Sequence, residues 1–230
     1  MKTHKNLTII GTSHISPESV KEVKDTINNK NPAIIALELD QNRLMALLSK
    51  NKKNSKKKSM VKELGIKGAL FNIIGAWAEK KMGKMVGMEP GSEMKIALKL
   101  AGKKGIHVAL IDRDIRITIK NLFKYIKFRE KMNFVADIFK GIFGIDKELK
   151  RIDLRKVPDK ELIDFIIKRV KKRYPGFYKA LIEERNIFMA KRLYKLMEMY
   201  KDEEIIAVVG AGHENEIINI IEKEEKVNEN

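Results

Sequence analysis

The chain has 230 residues, 43% of them hydrophobic and 34% charged, with no cysteine and a formal net charge of +17. That length and apolar content suit one domain, residues 1–230, with a genuine hydrophobic core. The absence of cysteine removes disulfides, thiolate metal centres and cysteine nucleophiles, so any metal must be held by His, Asp and Glu.

The opening "MKTHKNLTII" carries too short an apolar stretch for a secretory signal. No later run reaches the roughly 20 apolar residues that span a bilayer. A soluble, cytoplasmic chain is expected, membrane-associated only if the natural protein carries a further segment. "LTIIG" (7–11) predicts the first buried strand. "SPESVKEVKDTINNKN" then predicts a helix, with Ser16 as cap, Pro17 at the first helical position, and Val20, Val23 and Ile27 on one face. "AIIALEL" (33–39) is the second strand, completing a βαβ unit. "QNRLMALLSK" predicts an amphipathic helix.

The lysine run "KNKKNSKKKS" (50–59) has no interleaved aromatic residue and no reading motif. No specific nucleic-acid binding is expected from it, whereas the net charge suits loose attraction to an anionic membrane surface. Residues 60–89 are rich in Gly, Met and Lys around Trp77. Gly65, Gly68, Gly75, Gly83 and Gly87 interrupt the helical pattern there, so a movable helical lid is expected over about 60–100. Association of chain copies through this Met-rich surface is the competing expectation. Residues 92–103 predict a helix, "IHVALID" (106–112) the third strand, and "IIAVVG" (205–210) the fourth. Between the last two, about 113–200 reads as helical, broken at Pro158 and Pro175. His4 is expected on the surface, and His107 as a satisfied core histidine. The strands are nearly continuous in apolar residues, the mark of a sheet covered on both faces. The predicted fold is therefore α/β: a small, mainly parallel central sheet with a large helical insertion between the third and fourth core strands.

In parallel α/β sheets ligands bind beyond the carboxyl ends of the strands. There the sequence places His14, then Glu38 and Asp40, then Asp112, Arg113 and Asp114, then His213. The histidines close two matching frames, "GTSH" and "GAGH", each directly after a strand. Two imidazoles and a carboxylate form a usual catalytic set for a divalent metal, here manganese, cobalt or zinc, held by His14, Glu38 and His213. The plainer reading makes each histidine a hydrogen-bonded turn residue and Glu38 the ion-pair partner of Arg113 or Arg185. Asp112 can cap the helix that follows it. Arg113 and Arg116 suit a carboxylate or phosphate. Arg185 suits an oxyanion or a substrate carboxylate, or is simply a paired helix arginine. Asn186 beside it is a candidate substrate contact. No Walker loop, Gly-x-Gly-x-x-Gly, Gly-x-Ser-x-Gly or His-Glu-x-x-His occurs, so nucleotide binding and serine hydrolysis lack support.

Six blocks in order, "IIGTSHISPESVKEV", "PAIIALELDQNRL", "EPGSEMKIAL", "ALIDRDIRIT", "EERNIFMAKRL" and "AVVGAGH", resemble the TraB/PrgY family from Leu7 to about His213. That family includes pheromone-shutdown proteins and is related to TIKI metalloproteases and, more distantly, to GumN, ChaN-like and erythromycin-esterase-like proteins. The resemblance implies an α/β core with helical insertions. It implies divalent-metal peptide hydrolysis at Gly11 with His14, Glu38, and Gly210 with His213. Glu93, Arg113 and Arg185 match further family positions. On this reading Glu38 or Glu93 takes the proton of the attacking water, and Arg113 or Arg185 stabilises the oxyanion. The alternative is a non-catalytic protein that binds and sequesters a peptide. Many TraB-like proteins carry C-terminal membrane helices; the ending "EKEEKVNEN" has none.

Overall fold

The computed structural model describes residues 1–13, 16–48, 91–142 and 160–228. His14, the lysine run, Pro158 and most of the expected lid, residues 60–90, lie outside the described residues.

Five strands form one sheet: β1 (Lys2–His4), β2 (Leu7–Thr12), β3 (Ile34–Leu37), β4 (His107–Leu110) and β5 (Ile205–Gly210). Their spatial order is β1-β2-β5-β3-β4. The four strands expected from the sequence are mutually parallel, and the short β1 adds an antiparallel edge to β2. The last strand in chain order sits at the centre, with Ile205 in register with both Leu7 and Ile34.

The period-two alternation of strand side chains divides the core into two layers. Ile10, Ile35, Leu37, Ile206 and Val208 face α1 (Pro17–Lys30) and α3 (Ser92–Lys104) through Val23, Ile27, Met94 and Ala97. Leu7, Ile9, Ile34, Ala207 and Val209 face α8 (Glu184–Met199) and α9 (Ala211–Asn228) through Met189, Leu193, Ile217 and Ile221. Both faces are covered, as the unbroken apolar strands require. β4 is the exception: it ends the sheet, so His107 and Val108 are exposed. The expectation of a buried His107 fails because edge position is set by strand order, which the local pattern does not encode. His4, expected on the surface, is instead partly buried against Glu225 at 3.0 Å.

Local signals explain the helix boundaries. The Ser16 hydroxyl accepts from Glu18 N at 3.2 Å, with Pro17 in the first turn of α1. α2 (Gln41–Leu48) is capped by Asp40, whose Oδ1 accepts from Asn42 N at 2.7 Å and Arg43 N at 3.0 Å. Between β4 and β5 the described residues are helical: α4 (Ile115–Tyr125), α5 (Phe128–Ile142), α6 (Lys160–Arg173), α7 (Pro175–Tyr178), a π-helical turn (Lys179–Glu183) and α8. Pro175 opens α7, as the sequence break predicts. Gly176 must be glycine: a Cβ there would lie 2.6 Å from the Tyr125 carbonyl carbon and 2.7 Å from Glu130 Oε2.

Candidate functional site

The carboxyl ends of β3 and β5, with the residues just after β4, meet the start of α8. β3 leads to Glu38, β4 to Asp112, and β5 through Gly210 into the first turn of α9, which carries His213. Arg185, in the first turn of α8, stands among them. Its Nε donates to Asp112 Oδ1 at 3.2 Å and its Nη2 to Asp112 Oδ2 at 2.8 Å. The same Nη2 donates to Glu38 Oε1. Its Nη1 donates to Leu181 O at 3.1 Å and faces His213 Nε2 at 3.2 Å. All five guanidinium hydrogens therefore have an acceptor.

The carboxylates are equally engaged. Glu38 Oε2 accepts from Gly210 N at 2.6 Å. Asp112 Oδ2 also accepts from Arg43 Nη1 at 2.8 Å, and its Oδ1 from Arg113 N at 2.8 Å. Both acids are nearly inaccessible, with 3% of each side chain exposed, so they need these donors. Burial alone would lower the Arg185 pKa. The two carboxylates outweigh burial and push it further up, so the guanidinium is charged at every relevant pH.

His213 is held on both sides. Its Nδ1 lies 2.5 Å from Asn186 Oδ1, and Asn186 is fully buried. Nε2 faces a guanidinium, which can only donate, so Nε2 carries the lone pair and Nδ1 the hydrogen. That assignment fixes the amide as well: Asn186 presents its oxygen to the ring. His213 Nε2 is 3.7 Å from Glu38 Oε1. Two groups expected from the sequence to meet thus do meet, with Arg185 lying against both.

A second cluster adjoins the first. Arg113 Nε donates to Thr118 Oγ1 at 2.9 Å, Nη1 to Glu184 Oε2 at 2.8 Å and Nη2 to Ala180 O at 2.9 Å. Glu184 also accepts from Asn121 Nδ2 at 2.7 Å and Tyr125 Oη at 2.6 Å. Burial raises the Glu184 pKa, but these three donors outweigh it and leave the carboxyl below its ordinary value. The same bond raises the Tyr125 hydroxyl. The π-helical turn supplies two carbonyls to the clusters: Ala180 O accepts from Arg113 and Leu181 O from Arg185.

Arg116 stays outside, bound to Asp114 with Nη2 2.5 Å from Oδ2. Asp114, not Asp112, caps α4, accepting from Arg116 N at 2.8 Å. Glu93 is buried in the first turn of α3. Sequence reasoning missed Arg43, Asn121 and Tyr125. The one available signal was that buried acids after a strand need cationic or hydroxyl partners.

Beside the clusters opens a cleft of about 430 Å³, lined by Asp40, Leu110, Asp112, Asp114, Ile117, Phe188 and Arg192, among others. The Arg192 guanidinium lies 4.7 Å from the Phe188 ring centroid, and its Nη1 donates to Leu110 O at 2.6 Å. Asp40 is 5% exposed, and its Oδ2, buried with almost no accessible surface, has no hydrogen-bond partner among the described residues.

This strand-end arrangement lies within a segment, residues 2–228, that matches one protein family. The chain belongs to the TraB/PrgY/gumN family. It is 37% identical over 227 residues to an uncharacterized protein of Methanocaldococcus jannaschii, an alignment covering 96% of this chain and 54% of that protein. TraB domain-containing proteins of Mus musculus and Homo sapiens are 23% and 22% identical, each over 89% of this chain and 60% of theirs. The chain thus spans little more than half the length of these TraB relatives. Among its described residues no helix is long and apolar enough to cross a membrane.

Of the three ligands expected for a divalent metal, Glu38 and His213 are described and His14 is not. The two offer donors at one point, Glu38 Oε1 and His213 Nε2, and Arg185 is within hydrogen-bonding reach of both. A catalytic metal centre takes three protein ligands. Among the described residues no group of three or more His, Asp or Glu is disposed around one point.

Proposed function

We propose that the chain is a peptide-binding protein that holds a short peptide in the strand-end cleft and releases it intact. One observation carries this reading. The ionisable groups that bond-breaking would need are bonded to one another, while the cleft beside them stays open. Its volume, about 430 Å³, lies within the range of small-ligand sites and has room for a few residues of extended peptide. Leu110, Ile117 and Phe188 supply apolar walls, and Arg192 supplies a cation. Hydrogen-bonding groups with apolar surface between them match a peptide better than a uniformly polar metabolite.

Hydrolysis of the peptide is the second reading, favoured by His213. Its Nδ1 hydrogen is fixed by buried Asn186, so its basic nitrogen is Nε2, beside Glu38. Oriented imidazoles of this kind serve as bases. Such a role requires Arg185 to release Nε2.

The test incubates the protein with a pool of short apolar peptides, with and without manganese. The mixture is separated by size and the peptides weighed. Recovery of intact peptides with the protein supports binding. Fragments that His213→Ala abolishes would replace it with hydrolysis.

A further inference from the structure

We propose that α5 lies along an anionic lipid surface, with its apolar stripe inserted among the lipids and its basic borders against the headgroups. The helix is docked to the rest of the fold by its polar side. Glu130, Asn133 and Asp137, at i, i+3 and i+7, share one stripe and face inward. Glu130 accepts from Gly176 N at 2.8 Å and from Lys127 N at 2.9 Å. Asn133 Nδ2 donates to Arg173 O at 3.4 Å. Asp137 accepts from Arg173 Nε at 2.6 Å and from Tyr174 Oη. The opposite stripe is Phe128, Met132 and Val135, at i, i+4 and i+7. It faces outward, with Phe128 76% and Met132 53% exposed.

A surface helix ordinarily turns its apolar stripe to the core and its polar residues to water. The reverse arrangement leaves neighbouring apolar side chains in water, which marks a contact surface. The charge around the stripe selects what covers it. Lys127, Arg129 and Lys131 are exposed along it, whereas the two acids of residues 127–137, Glu130 and Asp137, are bonded inward. A second copy of the chain would set the same cations against these, on top of a net charge of +17. An anionic lipid surface supplies both halves of the match, acyl chains for the stripe and headgroups for the cations, and needs no complementary pocket. With 15 residues α5 is too short to span a bilayer, so it rests in the interface plane.

The experiment floats the full chain with vesicles of phosphatidylcholine alone, or of an equal mixture of phosphatidylcholine and phosphatidylglycerol. Binding is expected with the anionic mixture only, and should weaken as salt is added. Phe128→Gln combined with Met132→Gln alters two exposed positions and no charge. That pair should weaken partitioning at least about tenfold, the weight of one buried aromatic side chain. Because the chain has no cysteine, Met132→Cys carries a single environment-sensitive dye. Its emission should shift to the blue on anionic vesicles, which reads insertion without depending on the folding of the Gln pair. Equal flotation of the pair and the parent, or an unshifted dye, reduces the effect to net charge and overturns the proposal. Equal binding to both kinds of vesicle overturns the choice of an anionic surface. A parent that floats with neither overturns the proposal outright; a dimer in light scattering that the Gln pair separates would then assign the stripe to contact between copies of the chain.

Discussion

Removing Arg185 should be among the most damaging single changes in the molecule. Arg185→Ala deletes five hydrogen bonds at once and leaves two acids behind, each with 3% of its side chain exposed. Asp112 keeps Arg43 and the Arg113 amide, and Glu38 keeps Gly210 N. Breaking a buried ion pair from one side costs about 3–5 kcal/mol, because the remaining charge stays desolvated. For a domain of this size that is a fall in Tm of about 6–20 °C, at about 2–4 °C per kcal/mol. Urea unfolding followed by far-UV circular dichroism measures it. A double-mutant cycle with Glu38→Gln isolates the pair: the second change should cost about 0.5–3 kcal/mol less in the Arg185→Ala background than alone. If Arg185→Ala costs about 0.5 kcal/mol or less, as a surface substitution would, the closed network is not what holds the strand ends together.

Manganese, cobalt or zinc is expected to leave the Tm unchanged, since Arg185 lies against the donors a cation would use; a saturable rise in differential scanning fluorimetry would restore the metal-dependent hydrolase. Glu184 titrates below its ordinary value of 4.5, so its stabilising contribution is complete above that pH and is lost as pH falls through the lowered folded pKa. Glu184→Gln should therefore lower the Tm at neutral pH, and its deficit against the parent should shrink progressively below about pH 4.5; a constant deficit across a pH series would contradict this. Gly176→Ala drives a methyl group into the Tyr125 backbone and should cost about 1–3 kcal/mol, read from urea midpoints at unchanged m-value.

The four parallel strands were legible because each is an unbroken apolar run, and continuous burial leaves that signature whatever the strand order. Their order was not legible. Nothing in "IIAVVG" says that it inserts between β2 and β3, and nothing in "IHVALID" says that its strand ends the sheet and exposes His107. β1 has three residues and carries no pattern of its own. The meeting of Glu38 with His213 followed from parallel strands and needed only the general rule about strand ends. The partner of Glu38 stood open between Arg113 and Arg185 because both follow apolar segments. The distance from β3 to the first turn of α8 decides for Arg185, and Arg113 turns to Glu184 instead. The cleft was invisible in one dimension: Asp40, Ile117 and Phe188 come from three separate elements, and none is unusual in its local sequence.

The central position of β5 has a consequence for how the chain comes together. β2 and β3 are made early, yet neither pairs with the other; β2 finds its parallel neighbour only in β5, and β3, paired with β4 on one side, needs β5 on the other. During synthesis the N-terminal βαβ segment emerges with a slot in its sheet and two unpaired strand edges facing it, and closure waits until nearly all the helical segments have left the ribosome. Late, long-range closure of this kind makes folding slow and leaves sticky edges exposed meanwhile. A nascent chain stalled just before Ile205 should be a strong chaperone client, and a short addition through Gly210 should release it.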